Sequence, residues 1–189
     1  PTRGSLYYNA KSGNCYYGKN NATTTCNFTS SGIKNDTTRN LIAETTYYTR
    51  GNNSNQIFVD TMYDKERVSG TVYSGHATSW TGKIALAYPS DYGYAADLGK
   101  CSQNLNNYNN STCTSNNWMK AIVAPNYGWL LTPRSGIASN VWYVYSSGGV
   151  YYNSYVYNAY GVAPVLFLNS DANVKSGTGT SSDPYQISV

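Results

Sequence analysis

The chain has 189 residues, a length that suits one domain or one domain with a modest appendage. Charged residues make up only 12% and the formal net charge is +4, so the clustered positive charge typical of nucleic-acid-binding proteins is missing. Aromatic residues reach 15%, with 21 tyrosines, which excludes a disordered chain, and no apolar run approaches the ~18 residues of a membrane span.

The N-terminal stretch is polar and rich in turn residues, and its strand candidates are residues 6–8 and 16–17. We expect residues 1–35 to pack on a main domain that spans residues 36–189. Because Pro1 is not a translation start, we also expect a targeting or membrane segment upstream of this piece.

The charged residues concentrate in the stretch that follows. Asp36 is a candidate cap for a helix over about residues 38–48, and a second short helix is predicted over about residues 60–67. The second helix carries an acidic cluster that we interpret as a solvated face, because basic residues balance it. The acidic residues are Asp60, Asp64 and Glu66, and the basic ones are Lys65 and Arg67.

Strands are predicted over residues 71–73 and 83–88, and a short helix begins at Pro89, with Ser90 or Asp91 as its cap. Four more strand candidates follow, over residues 129–132, 141–146, 150–157 and 162–168. The pair Gly148-Gly149 indicates a hairpin turn between two of these strands. The pattern predicts an α+β fold with short helices in the N-terminal half and a mainly antiparallel sheet in the C-terminal half.

The four cysteines do not have zinc-site spacing, and each local pair brackets a loop rich in Asn, Thr and Ser. We favour two disulfides, Cys15–Cys26 and Cys101–Cys113, over free thiols, although this is one of three possible pairings. Such bridges indicate an oxidising compartment outside the cytoplasm.

Catalytic candidates are few. A Ser-His-Asp triad would have to use His76, the sole histidine, which lies in a predicted loop beside Trp80. We expect a surface or locally bonded His76, no metal, no cofactor and no enzymatic activity.

The most informative segment spans residues 139–160. Seven of its residues are Tyr, none is charged, and no charge occurs between Arg134 and Asp171. Tyr, Ser, Asn and Gly also dominate antibody binding loops, where Tyr supplies large amphipathic contact area and the others supply adaptable hydrogen bonds. The alternative is that these tyrosines are ordinary half-buried strand residues, since Tyr favours strands.

Alternation along this segment predicts two faces. Trp142 and Val144 would join a core supplied by residues 162–168, including Val165 and Phe167, whereas the tyrosines would face a ligand. The predicted ligand-facing residues are Tyr143, Tyr145, Ser147, Tyr151, Asn153, Tyr155, Tyr157 and Asn158.

Several blocks resemble C-type-lectin-fold domains of the branch that contains formylglycine-generating-enzyme-like folds and the variable proteins of diversity-generating retroelements. The C-terminal blocks are WLLTPR at 129–134, VWYVY at 141–145 and YGVAPVLFL at 160–168. The stretch WTGKIALAYPSDYGY at 80–94 and the ending SGTGTSSDPY at 176–185 resemble bacterial surface proteins in which such a domain follows a pilin-like segment.

The resemblance implies a rigid scaffold that displays a hypervariable binding face. It also brings alternatives. Formylglycine-generating enzymes use a reactive Cys pair, but the cysteines here lie in two local loops. C-type lectins bind sugar through Ca²⁺, but Asn169-Ser170-Asp171 lacks acidic neighbours and is better explained as a turn.

The sequence therefore predicts an extracellular, cell-surface recognition domain with a C-type-lectin-like fold. Its expected partner is a protein or glycan on another cell or virus, with no nucleic acid and no membrane contact except through an upstream segment. The alternative function is the globular head of a pilin-like fibre subunit, which would bury the tyrosines against copies of itself.

Overall fold

The computed structural model describes residues 40–180 and 182–188, and the backbone of four short strands nearer the N-terminus. These strands are β1 (Ser5–Tyr7), β2 (Ala10–Lys11), β3 (Asn14–Tyr16) and β4 (Ala22–Thr25). Strands β2, β3 and β4 form a small antiparallel sheet, whereas β1 joins the main sheet described below.

Apart from the helical residue 40, the helices of the described residues are short and lie between residues 59 and 123. They are α1 (Val59–Asp64), which continues as a π-helical turn (Lys65–Ser69), α2 (Pro89–Tyr94), a 3₁₀ turn (Leu105–Asn107), α3 (Ser111–Ser115) and α4 (Lys120–Val123). Three strands lie between residues 45 and 86, namely β5 (Thr45–Tyr48), β6 (Ser79–Gly82) and β7 (Ala85–Leu86). Strands β5 and β6 pair antiparallel.

The main sheet has five strands in the order β1-β11-β8-β9-β10. Its remaining members are β8 (Gly128–Pro133), β9 (Asn140–Val144), β10 (Val150–Tyr155) and β11 (Ala159–Gly161). Neighbouring strands run antiparallel except β11 and β8, which pair in parallel at Gly161 and Gly128. The described chain is thus mixed α+β, with few short helices and mostly antiparallel strands.

Two further strand pairs lie outside this sheet. Strand β12 (Pro164–Val165) pairs antiparallel with β7, and β13 (Asn173–Ser176) pairs antiparallel with β14 (Gln186–Ser188). Between residues 40 and 188, apart from residue 181, no helix has both the length and the apolar character that crossing a membrane requires.

A tight hairpin joins β9 to β10, as the Gly148-Gly149 pair predicts. Gly148 has φ of 90°, a left-handed conformation that glycine adopts without steric cost. The Tyr145 N–H donates to the Gly149 carbonyl, and the Gly148 N–H donates back to the Tyr145 carbonyl, each at 2.8 Å. The turn fixes which residues of the two strands face each other.

The core lies between the helices and one face of the main sheet. Trp142 and Val144 of β9 are fully buried there, which confirms the predicted inward face of this strand. They belong to one cluster with residues from the helices and from the other strands. Its fully buried members include Met62, Tyr92, Leu105, Leu130, Trp142 and Val144.

A disulfide joins Cys101 to Cys113, as predicted. Both residues are buried in the core cluster, so the bridge ties the loop that carries the 3₁₀ turn and α3 to the body of the domain. A disulfide fits an oxidising compartment. The second predicted bridge cannot be placed, because Cys26 and the side chain of Cys15 lie outside the described residues.

The interpretation of the acidic cluster as a solvated face is wrong for Glu66. Its side chain is fully buried and accepts hydrogen bonds from the Ser90 N–H, at 3.0 Å, and from the Ser90 hydroxyl. Arg67 bridges the same carboxylate at 2.8 Å and Asp91 at 3.0 Å. The guanidinium of Arg67 also lies between two tyrosine rings, 4.0 Å from Tyr63 and 4.1 Å from Tyr88. The balance of acidic and basic residues in this part of the sequence therefore gives no sign of the buried network that joins α1 to α2.

The predicted helix over residues 38–48 is wrong from residue 41 onward: residues 41–44 are not helical, and residues 45–48 form strand β5. The Thr-Thr-Tyr-Tyr sequence of this strand consists of β-branched and aromatic residues, which favour a strand. Tyr47 is buried there and stacks on Trp80 at 5.2 Å. The predicted helices at residues 60–67 and from Pro89 are confirmed, but the second has Tyr88 as its N-cap instead of Ser90 or Asp91. The Asp91 carboxylate accepts the Tyr88 N–H at 3.0 Å from within the first turn.

The expectation that residues 162–168 form a core strand is also wrong. The regular strand is limited to Pro164–Val165, and Phe167 is 56% exposed. Beyond β12 the chain pairs with residues 41–43, through the bridge of Leu168 to Ile42 and the bond from the Ala43 N–H to the Phe167 carbonyl. The segment therefore runs beside the core instead of through it. The division at residue 35 stays a prediction.

Candidate functional site: a tyrosine face on the main sheet

Five tyrosines lie together on the side of the main sheet opposite to the core residues Trp142 and Val144. We call this group the tyrosine face; its members are Tyr127, Tyr143, Tyr145, Tyr151 and Tyr160. Three of them lie in β9, β10 and β11, one directly follows β9, and one directly precedes β8.

Strand alternation places these side chains. Along β9, Trp142 and Val144 point into the core, so Tyr143 and the following Tyr145 point to the opposite side. The β9–β10 register sets Tyr151 directly opposite Tyr143, with ring centroids 5.8 Å apart. Two residues before Trp129, Tyr127 extends the same face across β8.

The rings contact one another in a continuous cluster. Tyr127 stacks on Tyr160 at 4.8 Å and meets Tyr145 edge-on at 4.6 Å. Tyr143 lies 5.5 Å from Tyr160, which closes the group. Beneath it, Trp129 is 1% exposed and its ring lies 4.5 Å from Tyr160. Aromatic pairs at these separations contribute about 0.5–1.5 kcal/mol each beyond burial, so the cluster holds its members in place.

A cleft of about 430 Å³ opens beside the cluster. Tyr127 and Tyr160 line one side of it, and the segment from α4 to β8 contributes Ile122 and Asn126. Ser146 of the hairpin turn lies at the same opening. The lining combines aromatic and aliphatic surface with a few hydrogen-bonding groups, a composition common in ligand sites.

The tyrosine face is electrically neutral. No charged residue occurs between Arg134 and Asp171 in the sequence. Burial, with smaller contributions from neighbouring phenols, raises the pKa of Tyr143 to about 12. The hydrogen bond to Tyr145, followed by burial, raises the pKa of Tyr127. The hydroxyl groups therefore remain donors as well as acceptors at physiological pH.

The structure brings together three of the predicted ligand-facing residues, Tyr143, Tyr145 and Tyr151, on this face. Ser147 lies exposed in the adjoining hairpin turn. Tyr155 and Tyr157 form a separate exposed pair with parallel rings 5.0 Å apart. Among the ring contacts of the described residues, none connects this pair to the tyrosine face.

The two predicted asparagines differ in their surroundings. Asn153 is exposed on β10, at the irregularity in the β9–β10 register. Asn158 is half-buried, and its amide donates to the Ser154 hydroxyl at 3.0 Å and to the Tyr160 hydroxyl at 3.4 Å. Asn158 therefore positions Tyr160 from the side, and its donors are already in use.

The sequence analysis omitted Tyr127 and Tyr160 from the ligand-facing set. It also did not predict that Trp129 packs against this face. The spacing of Tyr127 and Trp129 by two residues was the available signal for a shared strand face. The pairing of β11 with β8, which brings Tyr160 to the cluster, has no comparable signature in the sequence.

Other chemical candidates lie elsewhere. His76 is exposed in a loop, edge-on to Tyr73 at a centroid separation of 5.7 Å. Asn169 and Asp171 lie in a turn closed by the bond from the Ala172 N–H to the Asn169 carbonyl. Within the described residues, no three His, Cys, Asp or Glu side chains are grouped in a way that would hold a metal ion.

Comparisons with known proteins give no relative for this chain: no family model, no curated protein and no solved structure matches it. The interpretation of the tyrosine face therefore rests on its own geometry and chemistry.

Proposed function

We propose that this chain is an extracellular recognition domain that binds a protein or glycan through the tyrosine face, on a C-type-lectin-like scaffold. The observation that carries the proposal is a continuous cluster of five phenol rings beside a cleft. Strand β9 contributes to this cluster with one face and to the core with the other.

Physical chemistry supports a recognition role for such a surface. Tyr buries a large area on binding while it loses few rotamers, and its hydroxyl can pair with polar groups of many ligands. The rings also pack against one another, which restricts their motion before a ligand binds. Less side-chain conformational entropy is therefore lost when a ligand orders them. A neutral face of this kind attracts ligands by contact and hydrogen bonding instead of long-range charge.

The resemblance to the variable proteins of diversity-generating retroelements supports the same proposal. The resemblance implies a rigid scaffold with a hypervariable binding face, and we place that face at the outward residues of β9 and β10. The Cys101–Cys113 disulfide supports an extracellular location, since such bonds persist in oxidising compartments.

The test is binding of the chain to an array of immobilised neutral and acidic oligosaccharides and to intact cells, compared among single variants. Tyr145→Ser and Tyr151→Ser are expected to reduce binding at least tenfold. Tyr73→Ser is the matched control, because Tyr73 is similarly exposed but lies away from the face. Equal binding by all three variants would refute the role of the tyrosine face.

The same variants separate this proposal from the pilin-like alternative. If the tyrosine face contacts copies of the chain, Tyr145→Ser and Tyr151→Ser will abolish a concentration-dependent self-association seen by sedimentation. A recognition face leaves the sedimentation of wild type and variants identical.

A further inference from the structure

The cleft beside the tyrosine face has room for one group of a ligand but not for a folded partner. Its volume of about 430 Å³ lies in the range of pockets that hold small molecules, about 300–1,000 Å³. A single side chain or a sugar ring fits such a space. The chemistry of the lining decides between these two occupants.

The lining of this cleft is uncharged. Within the part of the chain that the structure describes, every residue that borders the cleft is aliphatic, phenolic, an amide, a hydroxyl or a glycine. A charged group that entered would lose hydration without meeting an opposite charge, which is unfavourable. The cleft therefore favours a neutral group over a carboxylate, a sulfate or an ammonium group.

The two tyrosines that line the cleft have hydroxyl groups that are already hydrogen-bonded to other residues. The Tyr127 hydroxyl bonds to Tyr145, and the Tyr160 hydroxyl accepts the Asn158 amide at 3.4 Å. Stacking also holds the Tyr127 and Tyr160 rings against each other, with centroids 4.8 Å apart. These two phenols therefore offer the cleft mainly ring surface.

Large aliphatic side chains form much of the remaining lining. They are Ile122, Val123, Pro125 and Val162. Among the described lining residues, Asn126 and Ser146 supply the other hydrogen-bonding side chains. A sugar ring carries several hydroxyl groups, and those left without partners in this lining would oppose binding. An aromatic side chain needs at most one partner, for an indole N–H or a phenol O–H, and therefore fits the lining better.

We propose that the cleft binds an uncharged aromatic side chain of a protein ligand, while the chain on either side of it lies across the tyrosine face. The cleft and the face share Tyr127 and Tyr160, so a protein that inserts a side chain into one also contacts the other. An aromatic anchor buried in a pocket is typical of the strongest contacts between proteins. The proposal rests on the recognition function above and narrows its ligand from a protein or glycan to a protein.

The test is an NMR titration of the isotope-labelled wild-type chain with three probes. They are the blocked pentapeptide Gly-Ser-Trp-Ser-Gly, the same peptide with Lys in place of Trp, and methyl β-glucopyranoside. The Trp peptide is expected to shift the methyl signals of Ile122 and Val162 until they saturate, while those of the exposed Ile84 stay unchanged. The other two probes should bind at least tenfold more weakly. Shifts that do not saturate with the Trp peptide, or a smaller preference for it over either other probe, would overturn the proposal.

A fourth probe distinguishes a protein ligand from a free aromatic molecule. N-acetyltryptophanamide carries the same indole but lacks the flanking residues that would lie on the tyrosine face. It is therefore expected to bind at least threefold more weakly than the Trp peptide. Equal affinities would assign the cleft to a free aromatic compound and contradict the protein ligand.

Single variants separate this inference from the function on which it rests. Ile122→Asp places a charge at the cleft from a position that is 43% exposed, and it is expected to weaken the Trp peptide at least tenfold. Ile84→Asp, at a 46% exposed position outside the cleft, should leave the affinity unchanged. If Tyr151→Ser reduces binding to intact cells but Ile122→Asp does not, the cleft inference fails and the recognition function stands. If neither variant reduces it, the recognition function fails, and the wild-type titration decides the cleft by itself.

Discussion

Trp142 and Tyr143 are neighbours in the chain, but their side chains lie on opposite sides of the main sheet. Trp142 is fully buried, and its indole N–H donates to the Asn52 carbonyl at 3.1 Å. Tyr143 is half-buried in the tyrosine face. The same alternation that builds the core therefore supplies the tyrosine face, with Trp142 and Val144 on one side of β9 and Tyr143 on the other.

This arrangement predicts opposite costs for substitutions on the hairpin. Trp142→Ala is expected to lower the free energy of unfolding by about 3–5 kcal/mol, because it removes a large buried side chain and leaves a cavity. Tyr155→Ser is expected to cost less than about 1 kcal/mol, because Tyr155 is 47% exposed and loses mainly its stacking on Tyr157. Urea denaturation of both variants measures the difference, and equal losses would place Tyr155 in the core.

At the scale of elements, the link between α1 and α2 is a buried carboxylate. Glu66, in the π-helical turn that continues α1, bonds to Ser90 in the first turn of α2. Its burial raises its pKa to about 8, and this outweighs the opposing effects of the Ser90 hydrogen bonds and of the Arg67 charge. The groups around it are thus Ser90, Arg67 and the more distant Asp91.

The raised pKa predicts a pH-dependent stability. The folded chain holds this proton more tightly than the unfolded chain, whose Glu pKa is near 4.5. The contribution is fully present below that value and is lost as pH rises toward about 8. Wild type should therefore lose stability relative to Glu66→Gln between about pH 5 and about pH 8. Urea denaturation at both pH values tests this; a constant difference between the two proteins would contradict it.

The elements also show what the sequence could and could not predict. Alternation along β9 and the glycine pair at its turn correctly predicted the inward face and the hairpin. The buried Glu66 was missed because its neighbours Lys65 and Arg67 suggest a solvated helix. The exposure of Phe167 was missed because an apolar run has the same appearance whether it crosses a core or lies beside one.

At the scale of the whole molecule, the Cys101–Cys113 disulfide ties a long irregular region to the core. Cys101 and Cys113 are 12 positions apart, and the loop between them carries few apolar residues of its own. Leu105 and Tyr108 are the buried exceptions, and the Tyr108 hydroxyl donates to the Gly93 carbonyl of α2 at 2.9 Å. The bridge and these two side chains hold the loop beneath the sheet.

Removal of this cross-link is expected to destabilise the whole domain. The double variant Cys101→Ser/Cys113→Ser should lose about 3 kcal/mol, the contribution expected for a bridge that closes a loop of this size. Thermal unfolding of the variant measures the loss. Intact-mass analysis before and after reduction is the companion measurement, and a free thiol at either position in native material would contradict the oxidised state.

Trp129 gives the tyrosine face an optical property. Its indole lies buried directly beneath Tyr160, which in turn stacks on Tyr127. Light absorbed by these phenols passes by energy transfer to an indole at such short range, so the cluster emits through one shielded tryptophan. A molecule that binds to the tyrosine face changes the surroundings of the absorbing phenol rings, whereas the emitting indole of Trp129 stays shielded from water. The excitation spectrum of the unlabelled protein therefore includes a contribution from this surface, alongside those of the Tyr47–Trp80 and Tyr152–Trp142 pairs.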